Sequence, residues 1–592
     1  MKPAVSVLKF GSSVLREEAD LTCAVHAIFA DLRRGRRVVA VVSAIGATTD
    51  RLLAEARAAT EAPDARLLAR LLATGEARAA ALLGLALERA GLPVALLGPE
   101  NAGIVTEGDL LDAHPIGLDE ERLFGELAAR PVLVLPGFVG RRLDGELTLL
   151  GRGGSDLSAV FVAGRLGAER CVLFKDVEGL FEWDPSDTQR ALPRRFAACS
   201  YADVLALPGG IVQKKAIATA RELGLVFEVG CLGARPGGRT LVGPGPSRFA
   251  PLPGSGADER PLRVGLLGLG TVGGGVHAHL LPLGSQFTIA SILVRDRAKH
   301  VVAGRARAAE LVPELVTDDP DGFFAAELDV VVEALGGEEP AGSLVARALE
   351  AGLHVVSANK AALAARWDEL VQLAAARDVR LLASAAVGGV VPMLETARRL
   401  FAVGPGHVAS LEGVLNGTSS FVLGRLAEGD DLASAVHAAQ DRGLAEADPR
   451  LDLDGTDVAH KLELLARATF GPAKCVWGKR MGVEAAGPEL FEAVRVRGGS
   501  VKLVARAVRL EPGGVRLDVA PIVLSGNHPL AGLRGAGNGV LFELSGEGPL
   551  VLFGEGAGRW PTAESVLGDL YEVWADVRTA RAVRGGSSNS EH

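Results

Sequence analysis

The chain has 592 residues, of which 48% are hydrophobic and 23% charged, and a formal net charge of -9. That length implies three or more folding units, each able to bury a core, and the balance is that of a soluble globular protein. No long basic stripe points to nucleic acid, and no run of 18 or more uncharged apolar residues suggests a membrane span. The five cysteines, Cys23, Cys171, Cys199, Cys231 and Cys475, stand far apart without a Cys-x-x-Cys pair. They read as thiols of a reducing, cytoplasmic compartment. The apolar run at 4–8 is cut by Lys9, so the N-terminus lacks a signal-peptide shape.

In chain order, short apolar runs at 5–10, 38–43, 94–97, 132–135 and 171–174 alternate with Ala/Leu/Arg-rich helical stretches. This order predicts a mostly parallel sheet with helices on both faces. Gly151-Arg152-Gly153-Gly154-Ser155-Asp156-Leu-Ser158 is a glycine loop opening a helix, a setting suited to phosphates. The stretch 243–256 holds four prolines and four glycines and reads as part of an interdomain linker over 243–262. A second βα block follows, with strands expected at 263–267, 288–294, 330–334, 354–357 and 380–384. Beyond 392 the pattern becomes α+β, with a helix at 457–469 and strands at 515–524, 539–544 and 550–553. The expected domains are therefore α/β/α at 1–242, a Rossmann domain at 263–391, an α+β catalytic domain at 392–580 and a disordered tail at 581–592.

The strand at 263–267 runs into Gly268-x-Gly270-x-x-Gly273. The first glycine permits a tight turn, the second lets backbone approach a pyrophosphate, and the third lets helix and strand pack closely. Thr271 and Val272 open the helix whose N-terminus faces the phosphates. A second strand at the right distance supports a dinucleotide site. That strand ends in Arg295-Asp296. Arginine there suits the 2′-phosphate of NADP, while NAD remains the alternative.

Further motifs follow: Ser357-Ala-Asn359-Lys360, Val387-Gly-Gly389, Gly413-Val-Leu-Asn416-Gly417-Thr418 and Glu446-Ala-Asp448-Pro-Arg-Leu-Asp452-Leu-Asp-Gly455-Thr-Asp457-Val-Ala-His460-Lys461. With Asn527-His-Pro-Leu530 and Gly554-Glu-Gly556-Ala-Gly558-Arg-Trp-Pro561-Thr-Ala563, they resemble the homoserine dehydrogenase family across 263–580. Reducing an aldehyde leaves negative charge on its oxygen, which needs a cation or proton donor. Carboxylates must hold the substrate ammonium. The resemblance implies Lys360 and Lys461 as the catalytic pair, Glu446, Asp452 and Thr418 at the substrate, and Asp457 orienting Lys461. It implies Gly268, Gly270, Thr271, Val272, Gly273, Arg295, Asn359, Lys360 and Gly556 at the cofactor. The plain alternative for Asp457 and Lys461 is an i,i+4 surface pair. His460 reads as a core or supporting histidine. The family also implies a monovalent cation on backbone carbonyls at Val387 and Gly389, although Ser384 replaces the usual glutamate. It further implies a homo-oligomer with small-molecule substrates.

In the first half, Lys9-Phe-Gly11-Ser12-Ser-Val14 resembles the opening of aspartokinases and the wider amino-acid-kinase fold. Ser43 to Thr49-Asp50, Gly75-Glu76 and the loop at 151–156 follow in the family's order. The resemblance implies ATP and Mg²⁺ at Lys9, Gly11, Ser12 and Asp176. It places aspartate at Thr49, Glu76 and Arg152, with Lys9 and Asp156 catalytic. Lys175 stands where the family has threonine, and Ser186 where it has arginine. The nucleotide-side lysine of the family is missing near 209–215, where Lys214 or Lys215 are candidate substitutes. The usual pair of regulatory domains between the two activities is absent, so threonine feedback through them is not expected. Two readings stand: a bifunctional aspartokinase and homoserine dehydrogenase, or a dehydrogenase with a degenerate kinase fold kept as a binding or assembly module. A semialdehyde dehydrogenase would need a cysteine nucleophile, and the second half has only Cys475.

Overall fold

The computed structural model describes residues 3–185, 193–207, 210–233, 238–250, 260–302, 305–306, 311–404, 406–442, 444–445, 448–510, 513–535, 537–546, 548–556 and 558–587. The chain forms two compact units, Met1–Ala257 with Ala582–His592, and Asp258–Arg581. Among the described residues no helix is long and apolar enough to cross a membrane.

Among the described residues the first unit is built on a nine-stranded sheet. Its strand order is Arg248–Phe249, Phe196–Ser200, Thr240–Gly243, Phe227–Gly230, Arg170–Phe174, Val5–Phe10, Arg37–Val42, Val132–Pro136 and Val94–Leu96. Every pairing is parallel except Phe227–Gly230 with Thr240–Gly243 and Phe196–Ser200 with Arg248–Phe249. Val5–Phe10 is buried at all six positions, the signature of a strand covered on both faces. The helices Leu21–Arg33, Ala65–Arg89 and Gly154–Leu166 send long buried stripes into this core.

Two features depart from expectation. A small sheet of His114–Leu118, Ile104–Glu107, Val139–Arg142 and Leu147–Leu149 has no strong apolar run, so periodicity missed it. Within the stretch read as linker, Arg248–Phe249 adds an edge strand. Phe249 stacks on Phe196 with ring centroids 4.5 Å apart, which outweighs the surrounding prolines.

Among the described residues the second unit opens with a six-stranded all-parallel sheet. Its order is Val316–Thr317, Phe287–Leu293, Leu262–Leu267, Val330–Glu333, His354–Ser357 and Leu381–Leu382. The strand expected at 380–384 is cut short. Ser384 starts a 3-10 turn because its N–H and its hydroxyl both donate to the buried Asp569 carboxylate, at 3.0 and 2.7 Å. A second six-stranded sheet runs Cys475–Arg480, Val515–Leu524, Ser500–Arg509, Val408–Val414, Gly537–Leu544 and Leu550–Glu555. Helices Gly417–Glu428 and Thr456–Phe470 pack on it. The last helix, Arg559–Ser587, continues past the boundary expected at 581 and returns to the dinucleotide side. Tyr571 meets Phe287 edge-on at 5.1 Å, Arg380 pairs with Asp576 at 2.8 Å, and Arg559 donates to the Gly274 carbonyl at 3.1 Å. These contacts give the helix an apolar and ionic anchor from Arg559 to Asp576.

Candidate active sites

In the second unit the glycine loop has the shape its spacing predicts. Gly268 has φ +95°, a conformation that disfavours any side chain. A Cβ on Gly273 would collide with the Gly268 carbonyl oxygen, whereas Gly270 faces open space. Gly270 and Thr271 are exposed at the N-terminal end of helix Thr271–Leu280, with Val272 half-buried behind them. The helix N–H groups are thus available to an anion. Arg295 is exposed just after strand Phe287–Leu293. At the next strand ends lies a polar lock that the sequence reading did not single out. Glu333, fully buried, accepts from the Ser357 hydroxyl at 2.6 Å and from the Asn359 amide at 3.2 Å. Burial pushes its carboxyl up, against the hydrogen bonds from Ser357, Leu335 and Asn359. Asn359 also donates to the Gly337 carbonyl and caps helix Lys360–Ala376 through Ala362 N–H. The cap fixes where Lys360, the first helical residue, points. A lone glutamate ending an apolar strand was the available signal for this lock.

Lys360 and Lys461 meet on one carboxylate. Lys360 Nζ lies 2.8 Å from Asp457 Oδ1, and Lys461 Nζ lies 2.8 Å from Asp457 Oδ2. The Lys360 side chain is 37% exposed, those of Lys461 and Asp457 9% and 5%, so one amine reaches solvent and the other is sealed in. Lys461 also donates to the Leu415 carbonyl at 2.7 Å, to which Asn538 donates as well. Burial alone would raise the Asp457 carboxyl, but Lys461 and then Lys360 hold it well below the ordinary carboxylate range. Asn416, quoted in a motif but given no role, donates to Asp452 at 2.7 Å and to Asp457 at 2.8 Å. Burial and the neighbouring Asp457 push the Asp452 carboxyl up. Thr418 is buried and donates to the Leu444 carbonyl. His460 is half-buried and shifted down by burial and by Arg480. Glu446 lies outside the described residues.

Gly556 packs beside the segment read as a cation site, since a Cβ on Gly389 would press on the Gly556 carbonyl. Val387 and Gly389 are buried. Among the described residues no cluster of three or more His, Cys, Asp or Glu is set to hold a metal. A cation there would rest on backbone carbonyls, and Ser384 is hydrogen-bonded to the buried carboxylate of Asp569.

In the first unit Lys9 and Asp156 form a buried ion pair at 2.8 Å. Asp156 lies in the first turn of helix Gly154–Leu166, behind Gly153 in the left-handed conformation. Lys9 folds back over Gly11, where a Cβ would collide with its ammonium. Lys175 reaches the same carboxylate, 2.7 Å from Asp156 Oδ2. Burial would raise the Asp156 carboxyl, but Lys9 and Lys175 lower it. Burial lowers the Lys9 amine against the pull of Asp156, with Lys175 adding to the drop. Ser43 donates to Ser155 at 2.7 Å, joining the loop after strand Arg37–Val42 to the glycine loop. Ala44 N–H donates to Glu76 at 3.2 Å. The other Glu76 oxygen is buried with no hydrogen-bond partner, and burial pushes the carboxyl up to about 7. Thr49 is half-buried on helix Thr48–Ala59, while Ser12, Arg152 and Asp176 are exposed. Lys215 is engaged with Asp112, and Lys214 is exposed on the first residue of helix Lys214–Leu223. Neither joins the Lys9–Asp156 pair. Ser186 lies outside the described residues.

Comparison with known proteins agrees with both halves. The amino acid kinase family matches residues 4–222, the NAD-binding domain of homoserine dehydrogenase 268–384, and homoserine dehydrogenase itself 392–571. A homoserine dehydrogenase of Synechocystis sp. is 35% identical over 323 residues, spanning 53% of this chain and 73% of that protein. One from Bacillus subtilis is 32% identical over 336 residues, 54% and 74% of the two chains. A solved homoserine dehydrogenase from Thiobacillus denitrificans aligns with 33% identity and a TM-score of 0.48, covering 54% of this chain and 74% of that one. The chain therefore belongs to the homoserine dehydrogenase family, and it carries an amino-acid-kinase domain ahead of the dehydrogenase.

Proposed function

We propose that the chain is a bifunctional enzyme of the aspartate pathway, which interconverts aspartate semialdehyde and homoserine and phosphorylates aspartate with ATP. The observation that carries the dehydrogenase reading is the single buried carboxylate of Asp457 shared by the ammonium groups of Lys360 and Lys461.

Gly268, Gly270, Thr271, Val272 and Gly273 would hold the pyrophosphate of NAD(P), Arg295 the 2′-phosphate of NADP, and Asn359 and Gly556 the nicotinamide side. The nicotinamide, when bound, supplies hydride to the aldehyde carbon. Lys461 Nζ gives a proton to the carbonyl oxygen as it becomes an alkoxide, yielding the alcohol. Lys360, which reaches solvent, returns a proton to the buried amine. Asp457 holds both amines at one point. Asp452 and Glu446 take the substrate ammonium. Asp452 is primed for a cation because burial beside Asp457 disfavours its own charge.

In the kinase half a carboxylate oxygen of aspartate attacks the γ-phosphorus of ATP, and the bond to the β-phosphate oxygen breaks. ADP leaves and an acyl phosphate forms, with no proton to place. The work is positioning and charge neutralisation. Lys9 meets the phosphates, and Glu76 and Arg152 grip the substrate ammonium and carboxylate. A cytoplasmic homo-oligomer and a monovalent cation at Val387–Gly389 belong to the same reading.

The test uses the purified full chain. NADPH oxidation with aspartate semialdehyde, and hydroxamate formation from aspartate, ATP and Mg²⁺ in hydroxylamine, should both be enzyme-dependent. Lys461→Met should abolish only the first, and Lys9→Met only the second. Loss of neither activity would refute the assignments.

A further inference from the structure

We propose that Lys175 is the second phosphate-binding cation of the kinase half, doing from the end of strand Arg170–Phe174 the work of the lysine missing from 209–215. This rests on the kinase reading above and names a residue for it.

The argument starts from charge. Asp156 is 2% exposed and carries one negative charge between two ammonium groups, Lys9 at 2.8 Å and Lys175 at 2.7 Å. The cluster is therefore left with one positive charge in a largely dry setting. That is costly unless an anion completes it. The drop in the Lys9 amine, to which Lys175 contributes, reports the same tension. The anion has a ready place. Lys9, Lys175 and Gly230 lie at the C-terminal ends of adjacent parallel strands, Val5–Phe10, Arg170–Phe174 and Phe227–Gly230. Open α/β sheets receive ligands at that edge. Asp156 sits in the first turn of helix Gly154–Leu166, so the positive end of that helix meets the same edge.

Sequence order alone gives Lys175 no such role, because it stands where the aspartokinase pattern has threonine. The two alternatives stand apart from the Asp156 cluster. Lys215 is bound to Asp112, and Lys214 is exposed on its helix. The backbone N–H of Lys175 is tied to the Gly230 carbonyl at 2.9 Å, so its side chain leaves from a fixed point. Two ammonium groups held by one carboxylate can clasp a phosphoryl group that passes from ATP to aspartate, one on each side, as charge spreads over its oxygens. Asp156 then acts as the hinge pin that keeps them apart by a constant distance.

The experiment compares the full chain with Lys175→Met, Lys175→Arg and Lys175→Thr. Dehydrogenase activity and thermal unfolding serve as the reference for intact protein. Aspartate-dependent hydroxamate formation should fall about a hundredfold or more in the Met and Thr variants, with KM for aspartate little changed, and recover in part with Arg. Separately, titration with ATP, ADP and AMP should show the intact chain preferring ATP over AMP, and the Met variant losing that preference at least tenfold. Kinase turnover within threefold of the intact chain in Lys175→Met would overturn the proposal. So would a rise in turnover, which would make Lys175 a lock on Asp156 instead. If the intact chain forms no acyl phosphate, the kinase reading fails on its own. The nucleotide titration then still decides whether Lys175 binds phosphate, and an unchanged ATP preference refutes it.

Discussion

Replacing Asp457 with asparagine keeps the shape of the side chain and its hydrogen bond from Asn416, but removes the charge that two lysines share. At 2.8 Å each ion pair represents about 6 kcal/mol of gross attraction at an effective dielectric of about 20. Desolvation of the three groups offsets most of this. Taking one partner from a buried pair typically costs about 3–5 kcal/mol. Lys360, 37% exposed, recovers its share from water, so the loss falls on Lys461 at 9%. The buried Lys461 ammonium then loses the partner that aims it at the aldehyde oxygen. Reductive kcat should therefore fall about 100- to 1000-fold at neutral pH, with kcat/KM falling alike and cofactor KM little changed. The assay is NADPH oxidation with aspartate semialdehyde, with hydroxamate formation as reference. A variant within threefold of the intact kcat would refute the shared-carboxylate reasoning.

Glu76 is raised to about 7 from an ordinary 4.5, so the folded state holds a proton that the unfolded chain releases between those values. Stability should therefore decline as pH rises from about 4.5 to 7, and Glu76→Gln should flatten that decline in thermal melts across the interval. The substrate ammonium needs the ionised form, so KM for aspartate should climb up to about tenfold per unit as pH falls below 7, a slope that Glu76→Gln removes while raising KM throughout. Arg295→Ala should weaken NADP about 10- to 100-fold and leave NAD nearly unchanged, measured as the ratio of the two KM values. Equal effects on both cofactors would remove Arg295 from the 2′-phosphate site. Gly273→Ala, whose Cβ would collide with the Gly268 carbonyl, should abolish cofactor binding and dehydrogenase turnover while hydroxamate formation persists.

What could be read from the sequence was whatever repeats at short range. The spacing of Gly268, Gly270 and Gly273 sets a turn and a helix start, and the structure has both. Asp457 and Lys461 are one helical turn apart, so their pairing follows from helix geometry, and burial turns it from a surface pair into part of a site. The arrival of Lys360 on the same carboxylate depends on how two sheets pack, and only family likeness pointed there. Asn416 carries no charge and no periodicity, so its bridge between Asp452 and Asp457 was not visible. Lys175 was legible only as a departure from pattern, and its meaning waited for the distance to Asp156. The end of the final helix was misplaced for a related reason. The residues from 581 resemble a tail by composition, but the helix runs on to Ser587, and Arg581 is held by Asp329 at 3.0 Å.

Both units use one physical device. In each, an aspartate in the first turn of a helix, Asp156 in Gly154–Leu166 and Asp457 in Thr456–Phe470, holds two lysine ammonium groups; Lys461 lies one turn along the same helix as Asp457, and the other three lysines come from separate elements. The helix N-terminus favours the ionised carboxylate, and the two cations deepen that preference, so each aspartate stays charged far below neutral pH. One negative charge cannot satisfy two positive ones. The two ammonium groups of each cluster, rigidly placed, face a developing anion, and beside Asp457 the second carboxylate, Asp452, is the one that the substrate ammonium takes. In one unit that anion is the oxygen of a carbonyl taking hydride, and in the other a phosphoryl group between two oxygens. The chemistries differ, yet both reactions raise negative charge at one point beside a largely buried carboxylate, and electrostatic preorganisation of this kind stabilises the transition state more than the ground state.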